Sequence, residues 1–343
     1  MPLSLRRGAV GGRRILIIGL ALSSLLKAAF GQPAAVVYNP ITEARPFRAE
    51  FKIGFWQDPD LSPNARESLK NRLRPFSIRM IEKLGPTLAE CGFTDLGIYL
   101  IEDYRLLHEE RLKGDFDLLH CDQAVYLVGK QYLPPGAREW EPYEVIAEEV
   151  LPEGTRKAQA GIWVREDSPI RKAAWLSGKK GRHFALVDDN CLLGGALQMA
   201  RLAGLHPSPL SATKEDYFRT SCGSVTDAIL RLLTGIANET PIEAAFLPVD
   251  SAGFLKARKA LGLAREEDLP IRLLESFEVK NPPGPPLLAT RFLLECRADL
   301  RTALTDFLSE QRSPWRWRES EASRYQELEE EIAPLFRWMD RQP

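Results

Sequence analysis

The residues best placed to do chemistry lie where predicted helices begin. Asn190 precedes a predicted helix over residues 191–203, and Ser224 precedes another up to residue 234. The first turn of a helix leaves backbone N–H groups unpaired and carries a partial positive charge, so it can hold an oxyanion without a cationic side chain. Both residues are also ordinary N-caps. The pattern therefore indicates either local capping or a noncovalent anion site.

Motifs for covalent catalysis are missing from the sequence. It contains no Gly-x-Ser-x-Gly elbow, no His-Glu-x-x-His pair, no Walker loop and no Gly-x-Gly-x-x-Gly after a predicted strand. Its four histidines are His108, His120, His183 and His206, and no local pattern pairs one of them with a nucleophile. We therefore predict that the protein is not an enzyme and needs no cofactor or metal. An enzyme that depends on Cys191 remains an alternative.

Strands and helices alternate along the chain. Apolar runs predict strands at residues 51–55, 96–100, 116–119, 160–164, 183–187 and 244–247. Helical spacing predicts helices at residues 65–84, 104–113, 170–177, 191–203 and 224–234, and a C-terminal helix that packs through Ile332, Leu335 and Phe336. This alternation predicts an α/β fold with mostly parallel sheets flanked by helices. The proline-rich stretch 281–286 predicts an extended connector.

The amino-terminal 31 residues have the pattern of an export signal. Arg6, Arg7, Arg13 and Arg14 precede an apolar run from Ile15 to Leu26, and Ala29-Phe30-Gly31 has the spacing of a signal-peptidase site. The run is too short to span a bilayer comfortably. We expect residues 1–31 to be cleaved, by either the general or the twin-arginine export route, and the mature protein to be periplasmic or secreted.

Net charge limits the classes of partner. Removing residues 1–31 takes away five positive charges and no negative ones, which changes the formal net charge from −1 to −6. An acidic chain without blocks of Lys and Arg argues against binding to nucleic acid or to anionic lipid. We therefore expect a small-molecule ligand and a monomer.

The mature chain has five cysteines, and their spacing does not match a zinc finger. They are Cys91, Cys121, Cys191, Cys222 and Cys296. We favour isolated buried thiols.

Several short motifs occur in a characteristic order. They are DYRLL at residues 103–107, KGDFDL at 113–118, VREDSPI at 164–170, LSGKK at 176–180, a GSVTDAI helix that ends at Gly235, and VDS at 249–251. Their order resembles that of the phosphate/phosphite/phosphonate-binding proteins, the periplasmic receptors of ABC importers with the type II binding-protein fold. The resemblance covers about residues 51–310. It implies two lobes, two interlobe crossings, closure on an oxyanion and recognition by a membrane permease.

The resemblance also implies where a ligand would lie. The corresponding positions are Tyr104, Asp122, Asn190, Cys191, Leu192, Leu193, Gly194, Ser224, Val225, Asp250 and Ser251. The chain departs from the family at several of them. Cys191-Leu192-Leu193-Gly194 stands where the family has Ser-Thr-Ser-Gly, Val225 replaces a histidine, and Ala158 replaces a tyrosine. A hydrogen bond to a charged group contributes about 1.5–3 kcal/mol, so these losses weaken phosphonate binding strongly.

The resemblance also opens two alternatives to isolated thiols. If the two helix starts converge as in the family, Cys191 and Cys222 are placed to form a disulfide or, with Cys121 and His120 across the cleft, a soft metal site. Independent thiols remain the favoured interpretation.

Two interpretations of this loss remain. We favour a receptor retuned to a less charged or more apolar ligand over a structural or signalling module that has lost its ligand. In either case the sequence predicts a first lobe formed by residues 34–157 with 272–343, and a second lobe formed by residues 158–271.

Overall fold

The computed structural model describes residues 5–10, 13–19, 50–131, 143–151, 157–177, 181–205, 217–237, 240–263, 269–312 and 315–339. The strands are β1 Leu5–Val10, β2 Arg13–Gly19, β3 Glu50–Trp56, β4 Asp95–Ile101, β5 Leu118–His120, β6 Tyr143–Glu149, β7 Lys157–Arg165, β8 Arg182–Leu186, β9 Tyr217–Ser221, β10 Ile236–Ala237, β11 Thr240–Pro241, β12 Ala244–Pro248, β13 Ile271–Lys280, β14 Pro286–Thr290 and β15 Trp317–Glu319. The α-helices are α1 Pro63–Glu90, α2 Tyr104–Lys113, α3 Gln123–Gln131, α4 Leu197–Leu205, α5 Val225–Thr234, α6 Ala252–Ala260, α7 Arg291–Cys296, α8 Leu300–Ser309 and α9 Gln326–Met339. A π-helical turn, Leu192–Ala196, leads into α4, and short 3₁₀ helices lie at Ala173–Trp175 and Ala322–Tyr325.

The strands form two main sheets, one in each lobe. The first lobe has the order β1-β2-β4-β3-β5-β14-β6-β15, and the second has the order β13-β7-β12-β8-β9. The chain crosses from the first lobe to the second between β6 and β7, and it returns between β13 and β14. The strands next to the crossings run antiparallel to their neighbours within each sheet: β14 pairs antiparallel with β5 and β6, and β7 pairs antiparallel with β12. The sheets are therefore mixed, and the expectation of mostly parallel sheets was wrong.

The predicted lobe boundary between residues 271 and 272 lies inside a strand of the second sheet, so the second crossing comes later in the chain than predicted. Strand β13 pairs antiparallel with β7 from Ile271 to Lys280, so this whole segment belongs to the second sheet. The proline-rich stretch follows, and β14 then begins at Pro286. A strand that pairs along its full length with a neighbour cannot belong to the other lobe.

Local sequence chemistry sets the bounds of several helices. The Asp103 carboxylate accepts a 3.1 Å hydrogen bond from the Leu106 N–H, and Gly114 ends α2 with a φ of 64°. The prediction for residues 104–113 is confirmed. Ser62 caps α1, which continues to Glu90 rather than ending at residue 84. The helix predicted at 170–177 is instead the single 3₁₀ turn Ala173–Trp175.

Two apolar clusters stabilise the molecule. One lies between the first sheet and the helices α1, α7 and α8, with Phe55, Phe76 and Phe307 fully buried. The other is continuous from Leu107 and Leu119 in the first lobe to Phe184 and Ile229 in the second. The two lobes are therefore in direct contact through apolar side chains.

The carboxyl-terminal helix α9 connects the two lobes. It packs against α3 of the first lobe and against α4 of the second. Ile332, Leu335 and Phe336 are buried, as predicted. The Lys130 ammonium also lies 2.7 Å from the Glu329 carboxylate.

A disulfide joins Cys91, which follows α1, to Cys296 at the end of α7, with their Cα atoms 5.8 Å apart. The prediction of isolated thiols was therefore wrong for this pair, because the fold brings together residues 205 positions apart. Cys121, Cys191 and Cys222 are not in disulfides, so the suggested Cys191–Cys222 bond is absent.

The hairpin of β1 and β2 lies within the segment predicted to be an export signal. Strand β2 pairs antiparallel with β4 at the end of the first sheet. The remainder of residues 1–31, including the proposed cleavage site, lies outside the described residues, and cleavage remains a prediction. Among the described helices, none combines the length and apolarity that a bilayer crossing requires.

Candidate functional site

The candidate site lies where the carboxyl ends of parallel strands meet between the lobes. In the first lobe, the loops after β3 and β5 carry Asp60 and Asp122. In the second lobe, β8, β9 and β12 run parallel, so the segments that follow them gather at one edge of the sheet. Two of these segments lead into the helix starts at Leu192 and Val225. The outer edge formed by such strand ends is the usual place for a ligand in α/β folds.

The amino end of α5 holds a carboxylate from the first lobe. Asp60 Oδ2 accepts a 2.8 Å hydrogen bond from the Val225 N–H and a 3.3 Å bond from the Thr226 N–H. The Thr226 hydroxyl donates to Asp60 Oδ1 at 2.6 Å. Only 3% of Asp60 is exposed. Val225 is thus part of the site through its backbone, as a donor to an internal anion.

The second helix start has a similar partner. Asp122 Oδ1 accepts a 3.1 Å hydrogen bond from the Leu192 N–H and a 2.8 Å bond from the Ala124 N–H. Burial raises the pKa of the Asp122 carboxyl to about 7. The hydrogen bonds from the Ala124 and Leu192 N–H groups lower this pKa, and the nearby charge of Asp188 raises it. The sequence predicted both Asp122 and Leu192, and the structure brings them together across the cleft.

Asn190 does not cap the helix that follows it. Its backbone N–H and its Nδ2 both donate to Asp188 Oδ1, at 2.9 and 3.0 Å. Cys191 is the residue before the π-helical turn, and its side chain makes no capping bond. The capping interpretation of Asn190 was therefore wrong, because the Asp188 carboxylate two residues earlier binds the amide. A ligand-binding role for Asn190 stays a prediction. Burial raises the pKa of Asp188 to about 6.

Cys191 is buried against Tyr104. The two side chains are hydrogen-bonded, and burial raises the pKa of both the thiol and the phenol well above their ordinary values. The Tyr104 ring also packs on Trp56, with centroids 5.4 Å apart. A thiol that stays protonated at neutral pH is a poor nucleophile. Across the described residues there is also no group of three or more side chains suited to a metal ion.

The other predicted residues have local roles. Ser224 caps α5 by accepting from the Asp227 N–H at 3.0 Å, and Ser251 caps α6 by accepting from the Gly253 N–H at 3.1 Å. The Leu193 carbonyl accepts from Gln198 Nε2, and Gly194 is buried against Val187. Asp250 is exposed. Ser224 and Ser251 therefore have capping roles, and Leu193 and Gly194 have packing roles. The part of these residues and of Asp250 in ligand binding stays a prediction.

A cavity of about 320 Å³ adjoins the loop that carries Asp60. It is lined by Trp56, Gln57, Asp58, Leu61, Ala65, Ser68, Leu69, Arg72, His120, Glu149 and Trp315. His120 Nε2 lies 3.3 Å from Glu149 Oε2, and the His120 and Trp315 ring centroids are 5.2 Å apart. Burial is the main cause that raises the pKa of Asp58. The cavity therefore combines aromatic rings and two carboxyl groups with the Arg72 guanidinium and the His120 imidazole.

Sequence reasoning missed Asp60, Thr226, Lys256 and this cavity. Gln57-Asp58-Pro59-Asp60 follows the first strand of the α/β series, so the rule that ligands lie beyond strand carboxyl ends could have drawn attention to the loop. Nothing local reveals that Asp60 contacts residues 165 and 166 positions away.

Comparison with known proteins supports the fold. No protein-family model matches the chain, and no curated protein matches its sequence. The chain is similar to the binding protein component of an ABC phosphonate transporter from Pseudomonas aeruginosa, with 13% identity, a TM-score of 0.52, and coverage of 84% of this chain and 86% of that one. It is also similar to XAC2383 from Xanthomonas citri bound to ATP, with 15% identity, a TM-score of 0.56, and coverage of 85% and 99%. The predicted two-lobed type II periplasmic-binding-protein fold is confirmed.

Proposed function

We propose that the protein is an extracytoplasmic solute-binding protein that delivers a small molecule to an ABC permease. The observation that carries the proposal is the cleft itself: two lobes are joined by two crossings, and helix starts in one lobe meet the strand ends of the other. A solute that contacts both lobes would stabilise the closed form, which a permease can then distinguish from the open form. This mechanism is noncovalent and requires no nucleophile.

The charge of the cleft favours a neutral or cationic organic solute. The backbone donors at Leu192 and Val225 are already bonded to Asp122 and Asp60. An oxyanion such as a phosphonate would meet these carboxylates rather than unpaired N–H groups. The adjoining cavity is lined by one guanidinium, Arg72, but also by two carboxyl groups and by the Trp56 and Trp315 rings, and aromatic rings beside carboxylates bind organic cations. This supports the retuned receptor over a phosphonate receptor.

The disulfide supports the proposed compartment. Disulfides persist in oxidising spaces outside the cytosol. The Cys91–Cys296 bond is therefore in keeping with the predicted export signal at residues 1–31. A monomer that meets its permease outside the cytosol is the expected state.

A second candidate function has its own supporting observation. Carboxyl groups of the first lobe bind the second lobe directly: Asp60 accepts from the Val225 N–H, and Asp122 accepts from the Leu192 N–H. A permanently closed molecule would serve as a structural or signalling module instead of a receptor. The two candidates differ in whether the lobes separate and whether any solute stabilises the fold.

A thermal-shift screen of the mature chain tests the proposal. The panel contains amines, quaternary ammonium compounds, amino acids, nucleosides, phosphonates and sulfonates. A solute present at about 100 times its dissociation constant stabilises a protein by about 2.7 kcal/mol, which is a measurable shift. For a cationic hit, Glu149→Gln should weaken binding, whereas the exposed Glu67→Gln should leave it unchanged. If no class of solute shifts the melting temperature and small-angle scattering finds one rigid closed form, the structural module replaces the receptor.

A further inference from the structure

The helix start at Val225 binds a carboxylate of the protein itself, that of Asp60, where an ordinary anion site would bind a free anion. The Asp60 carboxylate comes from the loop after β3 in the first lobe and reaches the first turn of α5, a ten-residue helix in the second lobe. Three donors bind it: two backbone N–H groups and the Thr226 hydroxyl. The Lys256 ammonium lies 3.9 Å from Asp60 Oδ1.

These groups are the donors that a free oxyanion would use. Backbone N–H groups at a helix start, a hydroxyl and a nearby ammonium bind carboxylates and phosphates alike. We infer that Asp60 is a tethered anion, which fills the oxyanion position of the second lobe, excludes free oxyanions from it and holds the lobes together without solute. The inference refines the proposed function because a site filled by Asp60 favours a neutral or cationic solute, and this consequence rests on the proposed function.

Residues of α6 support the contact between Asp60 and α5. Lys256 Nζ donates to the carbonyls of Pro59 and Leu61, at 3.3 and 3.2 Å, so α6 holds the backbone before and after Asp60. The Thr226 hydroxyl is also 3.2 Å from the Gly253 carbonyl. A Cβ atom on Gly253 would lie 2.7 Å from Asp60 Oδ2. The absence of a side chain at Gly253 thus leaves room for the carboxylate.

Chemical rescue tests the inference. Asp60→Gly removes the carboxylate and leaves a space of similar size beside the same donors. We expect acetate, and more weakly phosphate, to raise the melting temperature of Asp60→Gly relative to sodium chloride of equal ionic strength. Calorimetry should find acetate bound at least about tenfold more tightly by Asp60→Gly than by the wild type, since each charge-assisted bond contributes strongly to affinity. The wild type should not respond.

Two control variants define the outcome. Asp60→Asn removes the charge but fills the space, so acetate should not stabilise it. Asp167→Gly removes an exposed carboxylate in the second lobe and should respond no differently from the wild type. If Asp60→Gly does not fold in chloride, its refolding yield in acetate replaces the melting temperature as the measurement.

Two results would overturn the inference: no acetate effect on the stability or refolding of Asp60→Gly, or equal oxyanion binding by the wild type. The experiment uses neither the natural solute nor a permease. A negative solute screen combined with acetate rescue would therefore reject the proposed receptor and retain the tethered anion.

Discussion

The backbone N–H of Leu192 in the second lobe donates a 3.1 Å hydrogen bond to Asp122 Oδ1 of the first lobe. Asp122 is 8% exposed, and the adjacent Cys191 and Tyr104 side chains are also buried. The bond satisfies an N–H group that helix geometry leaves unpaired. It also keeps a carboxyl group in a poorly solvated cleft, where ionisation is unfavourable. The same contact thus joins the lobes and makes their stability depend on pH.

Replacing Asp122 with asparagine should reduce that pH dependence. The pKa of Asp122 is raised to about 7 in the folded protein, so the group stabilises the fold fully below its unfolded pKa and loses that contribution as the pH rises through 7. Asparagine keeps an acceptor for the Leu192 N–H and carries no charge. From about pH 5 to about pH 8, Asp122→Asn should gain roughly 2 kcal/mol of unfolding free energy relative to the wild type.

Urea denaturation at several pH values measures this difference. Asp188→Asn should behave similarly at slightly lower pH, because burial raises the pKa of Asp188 to about 6. The exposed Asp167→Asn serves as the control. A constant difference between Asp122→Asn and the wild type across this range would contradict the proposed titration.

Adding a methyl group at Gly253 should force the lobes apart. Its Cβ atom would lie 2.5 Å from Val225 Cβ and 2.7 Å from Asp60 Oδ2, both closer than van der Waals contact allows. We expect Gly253→Ala to lower the unfolding free energy by about 1–3 kcal/mol and to increase the radius of gyration in small-angle scattering. Gly204→Ala is the matched control, because beyond its chain neighbours and the backbone of its own helix no atom lies within 4 Å of its added Cβ. Equal scattering curves for the two variants would show that the cleft tolerates the methyl group.

The parts of the fold that the sequence predicted are those set by neighbouring residues. Asp103 caps the start of α2 and Gly114 ends it, and Ser224 caps the start of α5. The alternation of apolar segments likewise predicted most of β3, β4, β7 and β12. The motif order that resembled solute-binding proteins identified the type II fold.

The features that the sequence did not predict depend on distant partners. Strand β13 belongs to the second sheet because it pairs with β7, and each residue of β13 lies more than 100 positions after its partner in the sequence. Asp60 is a residue type that is common in turns, and only the fold places it against Val225 and Thr226. The same holds for Cys91 and Cys296. Local propensity contains no information on such pairs, which the packing of whole lobes determines.

Removing the disulfide should destabilise the first lobe without affecting the cleft. The bond closes a loop between residues 205 positions apart, and the loss of such a link costs about 2–5 kcal/mol. Cys91→Ala/Cys296→Ala should therefore melt at a lower temperature than the wild type and become insensitive to reductant. Cys222→Ala, which removes a free thiol, should remain sensitive to it. If reductant leaves the wild type unaffected, the bond does not form in solution.

Cys191 should resist alkylation in the folded protein. Cys191 is 7% exposed, and burial raises the pKa of its thiol well above the ordinary value, so the reactive thiolate is scarce. Burial also raises the pKa of the half-buried Cys222 to about 11, so Cys222 should react slowly but before Cys191. Peptide mass spectrometry after iodoacetamide treatment distinguishes the two sites, and the unfolded, unreduced chain should take up three labels, on Cys121, Cys191 and Cys222. Rapid labelling of native Cys191 would instead restore the alternative of a cysteine-dependent enzyme.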